Sequence, residues 1–222
     1  MSGVGRVLHG RRVVLRPYSA GFSDPEIEQF RAWSGDDEVV GLAGGTPVNL
    51  PPDRFRYMFL SRLHERNSDR EQQFAILDEE GVLIGRTGLF ALDRRIGDAE
   101  LGIMIGDRER WGRNYGRDAV RTLAAHAFTE LGVARIRLYT FPHNVRAQRA
   151  FRSVGFRVTR KLRRFSLERG LHVEIEMMLT ADRLRSANAT LVDDGKEDRA
   201  HRGRDAVASD GWPVPDEPHI GL

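Results

Sequence analysis

One stretch limits the fold more than any other. An alternating segment, Asp98–Ile105, and a second strand-like run, Ile136–Phe141, lie on either side of an amphipathic helix pattern. Between Gly116 and Leu131 the apolar residues are Ala119, Val120, Leu123, Ala124, Ala127, Phe128 and Leu131. That spacing puts them on one helical face, and Gly132 supplies the stop. A strand, a helix and a second strand joined by short links form a crossover, which implies that the two strands run parallel.

The flanking segments read as antiparallel. Gln73–Asp78 and Val82–Leu92 are strands joined by a turn at Asp78-Glu79-Glu80-Gly81, and Asp98–Ile105 continues the meander. Gly85 and Gly88 inside the second strand predict a bend or bulge there. Upstream, Val13–Pro17 is a short strand. Helices are expected over about Pro25–Trp33, capped by Asp24, and about Asp53–Arg66, capped by aspartate after Pro51-Pro52. Between them the glycine-rich Gly41–Pro47 is a candidate wall for a substrate cleft. Downstream, a helix at Val145–Val154 should bury Ala147, Ala150, Phe151 and Val154 before Gly155 closes it. A hairpin of Phe156–Leu167 and Leu171–Thr180, turned at Glu168-Arg169-Gly170, ends the domain.

The expected fold is therefore α+β: a mixed, mostly antiparallel sheet, splayed near the middle, with helices on both faces. Residues 1–184 make one domain. Residues 185–222 are rich in Asp, Gly, Ser and Pro without periodicity, and are expected to form a flexible tail in which Trp212 and Ile220 are the large apolar residues.

Composition excludes several chemistries. The 222 residues contain no cysteine, so disulfides, thiolate metal sites and a cysteine nucleophile are absent. No apolar run reaches the roughly 20 residues of a membrane span, and the first residues lack the pattern of a signal peptide. A cytoplasmic location without a membrane partner is the expectation. The histidines lack metal-ligand spacing, so no metal is expected. From Ser186 onward there are 4 basic and 8 acidic residues, leaving 31 basic and 24 acidic residues in the rest. A basic body suits acidic substrates, a phosphorylated cofactor or nucleic acid, but no aromatic-and-basic recognition motif supports nucleic acid. Lys161 and Lys196 are the two lysines, so the cationic charge is almost all arginine.

The chemistry concentrates in Glu100–Phe156. A strand ends at Ile105, the loop GDRERWGRNYG follows, and the long helix begins near Gly116. Unpaired N–H groups at a helix N-terminus beside arginines suit an anion such as a pyrophosphate. Gly112, Asn114 and Gly116 allow close backbone approach. A solvated strand-to-helix turn would look the same from this feature alone.

WGRNYGRDAV, a helix ending in ELG, a strand, and NVRAQRAFRSVGF together resemble the GNAT acetyltransferase superfamily. The resemblance is closest to the branch with ribosomal-protein (RimJ/RimL type) and spermidine N-acetyltransferases. It covers roughly Val13–Thr180 in strand order and is specific over Glu100–Phe156. It implies acetyl-CoA as co-substrate, held between splayed strands, with Ile103, Met104 and Ile105 facing its pantetheine arm. The family's phosphate loop, Gln/Arg-x-x-Gly-x-Gly/Ala, falls on Trp111, Gly112, Arg113, Asn114, Tyr115 and Gly116, followed by Arg117. Trp111 and Asn114 depart from that pattern, and asparagine tolerates left-handed backbone angles. Asn144 matches a cofactor-contacting asparagine and is also a good helix cap. Arg146 and Ala147 follow on the first turn. Phe151 stands where similar enzymes often have a tyrosine that protonates the thiolate. A phenyl ring cannot do this.

The resemblance further implies acetyl transfer to a primary amine by direct attack, the acceptor being a protein or peptide N-terminus, a polyamine or another small amine. Glu100 is the candidate base, since the attacking amine must lose a proton. A surface glutamate on an alternating strand is the competing reading, and His143 is the other candidate base. Tyr139, Tyr115 or water could stand in for the missing tyrosine. A non-catalytic acyl-CoA-binding module is the alternative function, suggested by Phe151 and Asn114. A homodimer is compatible with the fold, though no residue specifies one.

Overall fold

The computed structural model describes residues 5–63, 67–167 and 169–189. Of the expected tail at 185–222, residues 190–222 with Trp212 and Ile220 lie outside the described residues, as do Glu168 and residues 64–66; the helix expected to reach Arg66 already ends at Ser61.

Nine strands form one mixed sheet among the described residues: β1 (Leu8–His9), β2 (Val14–Pro17), β3 (Asn67–Ser68), β4 (Glu71–Leu77), β5 (Leu83–Asp93), β6 (Asp98–Ile105), β7 (Arg135–Thr140), β8 (Arg157–Ser166) and β9 (Gly170–Thr180). Their order is β1-β2-β4-β5-β6-β7-β9-β8, with β3 alongside β4. Only β6 and β7 pair in parallel, as the crossover required.

Helices cover both faces. On one side α1 (Asp24–Ser34), α2 (Asp37–Leu42) and α3 (Pro52–Ser61) close over the β4–β6 half. Ile27, Phe30 and Trp33 of α1 recur on one side of the helix and are buried against Tyr18, Phe55 and Phe59, each worth about 2 kcal/mol of burial. On the other side α4 (Tyr115–Glu130) and α5 (Val145–Val154) pack on a larger core that includes Leu15, Ile76, Leu101, Leu123, Ile136 and Leu179. Residues 181–189 are helical, with Leu184 buried in that second core, so residues 185–189 continue a helix where the flexible tail was expected to begin. No helix among the described residues is long and apolar enough to cross a membrane.

Some local details differ from the sequence reading. Ser23, not Asp24, caps α1: the Glu26 carboxylate accepts from the Ser23 N–H at 2.8 Å and its hydroxyl at 3.0 Å, so the turn closes one residue earlier. Pro51 precedes α3, so Asp53 lies within its first turn. The six-residue α2, held by Asp36 accepting from the N–H groups of Glu38 and Val39, was not expected. In β5 one irregularity, against β6, lies between Phe90 and Asp93, where Ala91 takes φ 46°; another, against β4, falls next to Gly85, where Ile76 pairs with Gly85 and Leu77 with Leu83. Gly85 also serves close approach: a Cβ there would stand 2.3 Å from the Met104 carbonyl oxygen.

Candidate active site

The site begins where the sheet comes apart. β6 and β7 pair at Asp98–Arg135, Ala99–Ile136 and Glu100–Arg137, and then diverge. β6 continues to Ile105 on β5, so the edge of Leu101–Ile105 facing away from β5 has no strand partner. The gap opens into a cleft of about 1100 Å³ between the two strands, α2, α5 and the start of α4. Glu100, Ile103, Met104 and Ile105 line it from β6. Trp111, Gly112, Asn114, Tyr115, Gly116 and Arg117 line it from the loop and α4. Asn144, Ala147 and Phe151 line it from α5. Of the residues nominated from sequence, Arg113 and the alternative base His143 do not line this space. The Arg113 carbonyl accepts from Arg12 Nη1 at 2.6 Å.

The loop before α4 is built to leave its N–H groups free. Gly112 has φ 75° and Asn114 has φ 66°, ψ 4°, the left-handed turn for which asparagine is suited. In that conformation the Asn114 side chain caps nothing, so the first-turn N–H groups of α4 have no side-chain acceptor. Trp111 anchors the near side, its indole N–H donating to the Ile105 carbonyl at 2.8 Å. The Arg146 guanidinium lies 3.8 Å over the Trp111 ring. Behind the loop, Arg12 donates to the Tyr115 hydroxyl at 3.2 Å, and its own N–H donates to Asp118 at 2.8 Å. Arg110 pairs with Asp78 at 2.9 Å. These ties fix the helix start from the rear while its front faces the cleft.

Glu100 sits at the point of divergence, half-buried on the cleft wall. Burial pushes its carboxyl above the usual carboxylate range; Arg137 and Arg164 oppose the shift and Glu174 adds to it. Tyr139 also lines the cleft, but its hydroxyl approaches the buried Glu176 at 3.4 Å, and burial beside that carboxylate raises its pKa. Tyr115 is buried, with its hydroxyl turned to Arg12 and Arg110. His143 stacks on Phe141 outside the lining, with ring centroids 5.3 Å apart.

Asn144 combines both expected placements. Its side chain accepts from the Ala147 N–H at 3.1 Å as a cap, and it also faces the cleft. Along α5, Gln148 is buried where Ala147 and Ala150 were expected, donating to the carbonyls of Phe141 and Pro142 at 3.0 Å each. The two alanines stay half-buried because they border the cleft. Phe151 is buried at the cleft floor and packs against Phe156. Leu42, Ala43 and Gly44 of the glycine-rich segment expected to wall a cleft do line it, whereas sequence reasoning missed Val39 of α2, Arg164 and Glu174 of the last hairpin, and Arg12. The Arg12 contacts join residues about a hundred positions apart, so no local pattern marks them. The spacing of Asp36 ahead of Val39 and Val40 was the available signal for α2.

Among the described residues, no group of three or more His, Cys, Asp or Glu side chains is placed to hold a metal ion. The acidic residues near the mouth are matched by cations. Arg108 pairs with Asp36 and, at 2.7 Å, with Glu38. Arg164 stands 3.7 Å from Glu174 and Arg160 2.9 Å from Glu176.

Comparison with known proteins agrees with this geometry. The crystal structure of spermidine N-acetyltransferase from Vibrio cholerae, in complex with CoA and spermine, superposes with a TM-score of 0.65 at 18% identity, covering 78% of this chain and 97% of that one. A GNAT-family acetyltransferase from Bacillus anthracis superposes with a TM-score of 0.64 at 15% identity, covering 79% of this chain and 98% of that one. At these identities the likeness concerns the fold. In sequence, the chain is 29% identical over 102 residues to the "Uncharacterized N-acetyltransferase p20" of Bacillus licheniformis, a match spanning 46% of this chain and 57% of that relative. The model of the acetyltransferase (GNAT) domain matches residues 12–157, from the arginine that braces the phosphate-type loop to the strand after α5. With that match over most of the described residues, the chain belongs to the GNAT acetyltransferase family.

Proposed function

We propose that the protein is an N-acetyltransferase that moves the acetyl group of acetyl-CoA to a primary amine by direct attack. The observation that carries this is the cleft: a splayed pair of strands leading from an uncapped helix N-terminus to a half-buried glutamate. The free N–H groups at Tyr115–Arg117 suit the pyrophosphate. The unpartnered edge at Ile103–Ile105 suits the amide groups of the pantetheine arm, which hydrogen-bond as an added strand would. Trp111, Arg146, Asn144, Ala147 and Phe151 shape the passage.

In the reaction the amine nitrogen bonds to the thioester carbon, the carbon–sulfur bond breaks, and the thiolate leaves. Glu100 is placed to take the proton that the nitrogen sheds. Phe151 cannot return a proton to sulfur, and Tyr139 and Tyr115 are engaged elsewhere, so in this reading water protonates the thiolate. Positioning and polarisation of the carbonyl then carry most of the rate.

The acceptor amine reaches the carbonyl from the side of Glu100, Arg164 and Glu174. Because the acids lining the cleft, Glu100 and Glu174, stand among Arg117, Arg146, Arg149 and Arg164, the cleft has no acidic excess. This favours a peptide N-terminus or a small monoamine over a polycation. Mass spectrometry of an acceptor panel incubated with acetyl-CoA tests the reading. Peptides or monoamines should gain one acetyl group in preference to spermidine. An unmodified panel would refute the proposed function, and preferential acetylation of spermidine would overturn the acceptor assignment.

A further inference from the structure

Acetylation of an amine removes two protons from its nitrogen, and Glu100 accounts for one. In neutral water a primary amine is mostly ammonium, whereas the product amide keeps a single N–H. One proton must leave before the nitrogen can attack, and the other leaves as the new bond forms. The last hairpin carries a second group suited to this work.

Glu174 of β9 lines the cleft, and its charge is felt at Glu100. His172 lies two residues before it, on the same face of the strand and outside the lining. The His172 Nδ1 is 3.0 Å from the Gly170 carbonyl oxygen, and its Nε2 is 3.3 Å from Glu174 Oε1. A carbonyl oxygen only accepts, so Nδ1 carries the hydrogen of the neutral ring and Nε2 presents a lone pair. That lone pair faces a carboxylate oxygen, which also only accepts. Two acceptors held at this distance form a seat for one proton.

The surroundings leave that seat to the pair. Arg164, across on β8, stands 3.7 Å from the other oxygen, Glu174 Oε2. The Phe141 ring lies 6.2 Å from the His172 ring, centroid to centroid, and Arg169 and His143 lie against that phenyl ring. Tyr139, on the neighbouring strand, directs its hydroxyl to Glu176. An imidazole nitrogen also matches an ammonium proton better than a carboxylate alone, since imidazole ordinarily holds a proton more tightly.

We propose that Glu174, backed by His172, takes the first proton from the ammonium group of the acceptor and leaves the second to Glu100. The inference rests on the reading of the cleft as an acetyl-transfer site. The ammonium N–H bond breaks toward Glu174, and the proton comes to lie between Oε1 and Nε2. The freed nitrogen lone pair bonds to the thioester carbon, the carbon–sulfur bond breaks, and Glu100 takes the second proton. Both protons pass to solvent, and the thiolate takes one from water. Glu174 is thus a catalytic residue and His172 its positioning residue.

Kinetics of a peptide acceptor across pH test the assignment. A peptide α-amino group titrates at about 8, so roughly one in ten is neutral at about pH 7. A variant without the pair has only that neutral fraction to use. Glu174→Gln should therefore lose about tenfold in kcat/KM relative to wild type at about pH 7, and recover to within about twofold at about pH 9.5. His172→Gln should show a smaller deficit with the same pH dependence. With a lysine side-chain amine, which titrates at about 10.4, the recovery should move up by about two pH units. A merely structural role would give a deficit independent of pH and of the acceptor. Such a constant deficit in either variant, or none, would overturn the proposal while leaving the acetyl-transfer reading intact. Failure of the wild-type protein to acetylate any amine would overturn that reading and the proposal with it.

Discussion

Glu100 owes its properties to where the sheet opens. It is the last β6 residue still paired with β7, so its carboxyl faces a cleft that begins one residue later. Burial raises its pKa, with Arg137 and Arg164 limiting the shift. A base must be ionised to accept a proton. Activity should therefore rise with pH along an acid limb lying above the ordinary glutamate value of about 4.3. Glu100→Gln should lower kcat/KM about a hundredfold or more and abolish that limb. A pH–rate profile checks both, and an unchanged limb in the variant would assign it to another group. Asn114 is the other decisive residue. Its left-handed backbone costs an ordinary side chain about 1 kcal/mol. Asn114→Gly should thus keep acetyl-CoA affinity, whereas Asn114→Ala should weaken it about fivefold by titration, because the loop must strain to present its N–H groups.

Elements were legible in the sequence wherever a period persisted. The apolar spacing across α4, the alternation of β6 and the stop at Gly155 appear in the structure within a residue of their expected places. α2 was not legible, because a six-residue helix with only Val39 and Val40 buried presents no period. The β5 irregularity at Ala91 was not legible either, since alanine does not signal a positive φ. Gly85 marks an irregularity against β4, as its place in the strand suggested, and both glycines also meet the close approach of neighbouring backbones. Gly85→Ala tests this at the scale of the strand pair. Its Cβ would meet the backbone of β6 directly, so the variant should lose at least about 1–3 kcal/mol in denaturant unfolding. Acetyl-CoA affinity should fall with it, because Met104 and Ile105 form the cleft wall on the other side of the contact. The lining of the cleft was legible where it follows a local motif, as at Trp111, Gly112, Asn114–Arg117 and Asn144. Arg12, Arg164 and Glu174 arrive from distant parts of the chain, and only the folded sheet brings them to the loop or the cleft.

At the scale of the molecule, the two cores have separate tasks. The core under α4 and α5 sets the splay of β6 and β7 and the direction of the α4 N-terminus. The aromatic core under α1 and α3 holds the opposite face, leaving α2 to border the cleft. The account stands on the claim that this cleft transfers acetyl groups and does not merely bind an acyl-CoA. Thiol release from acetyl-CoA, followed with a thiol-reactive dye, measures that claim directly, and a chain without cysteine adds no background of its own. The account predicts release that requires an amine acceptor, matches acetylated amine one for one, and falls in Glu100→Gln. Tight acetyl-CoA binding without thiol release from any acceptor would contradict it and leave an acyl-CoA-binding module in its place.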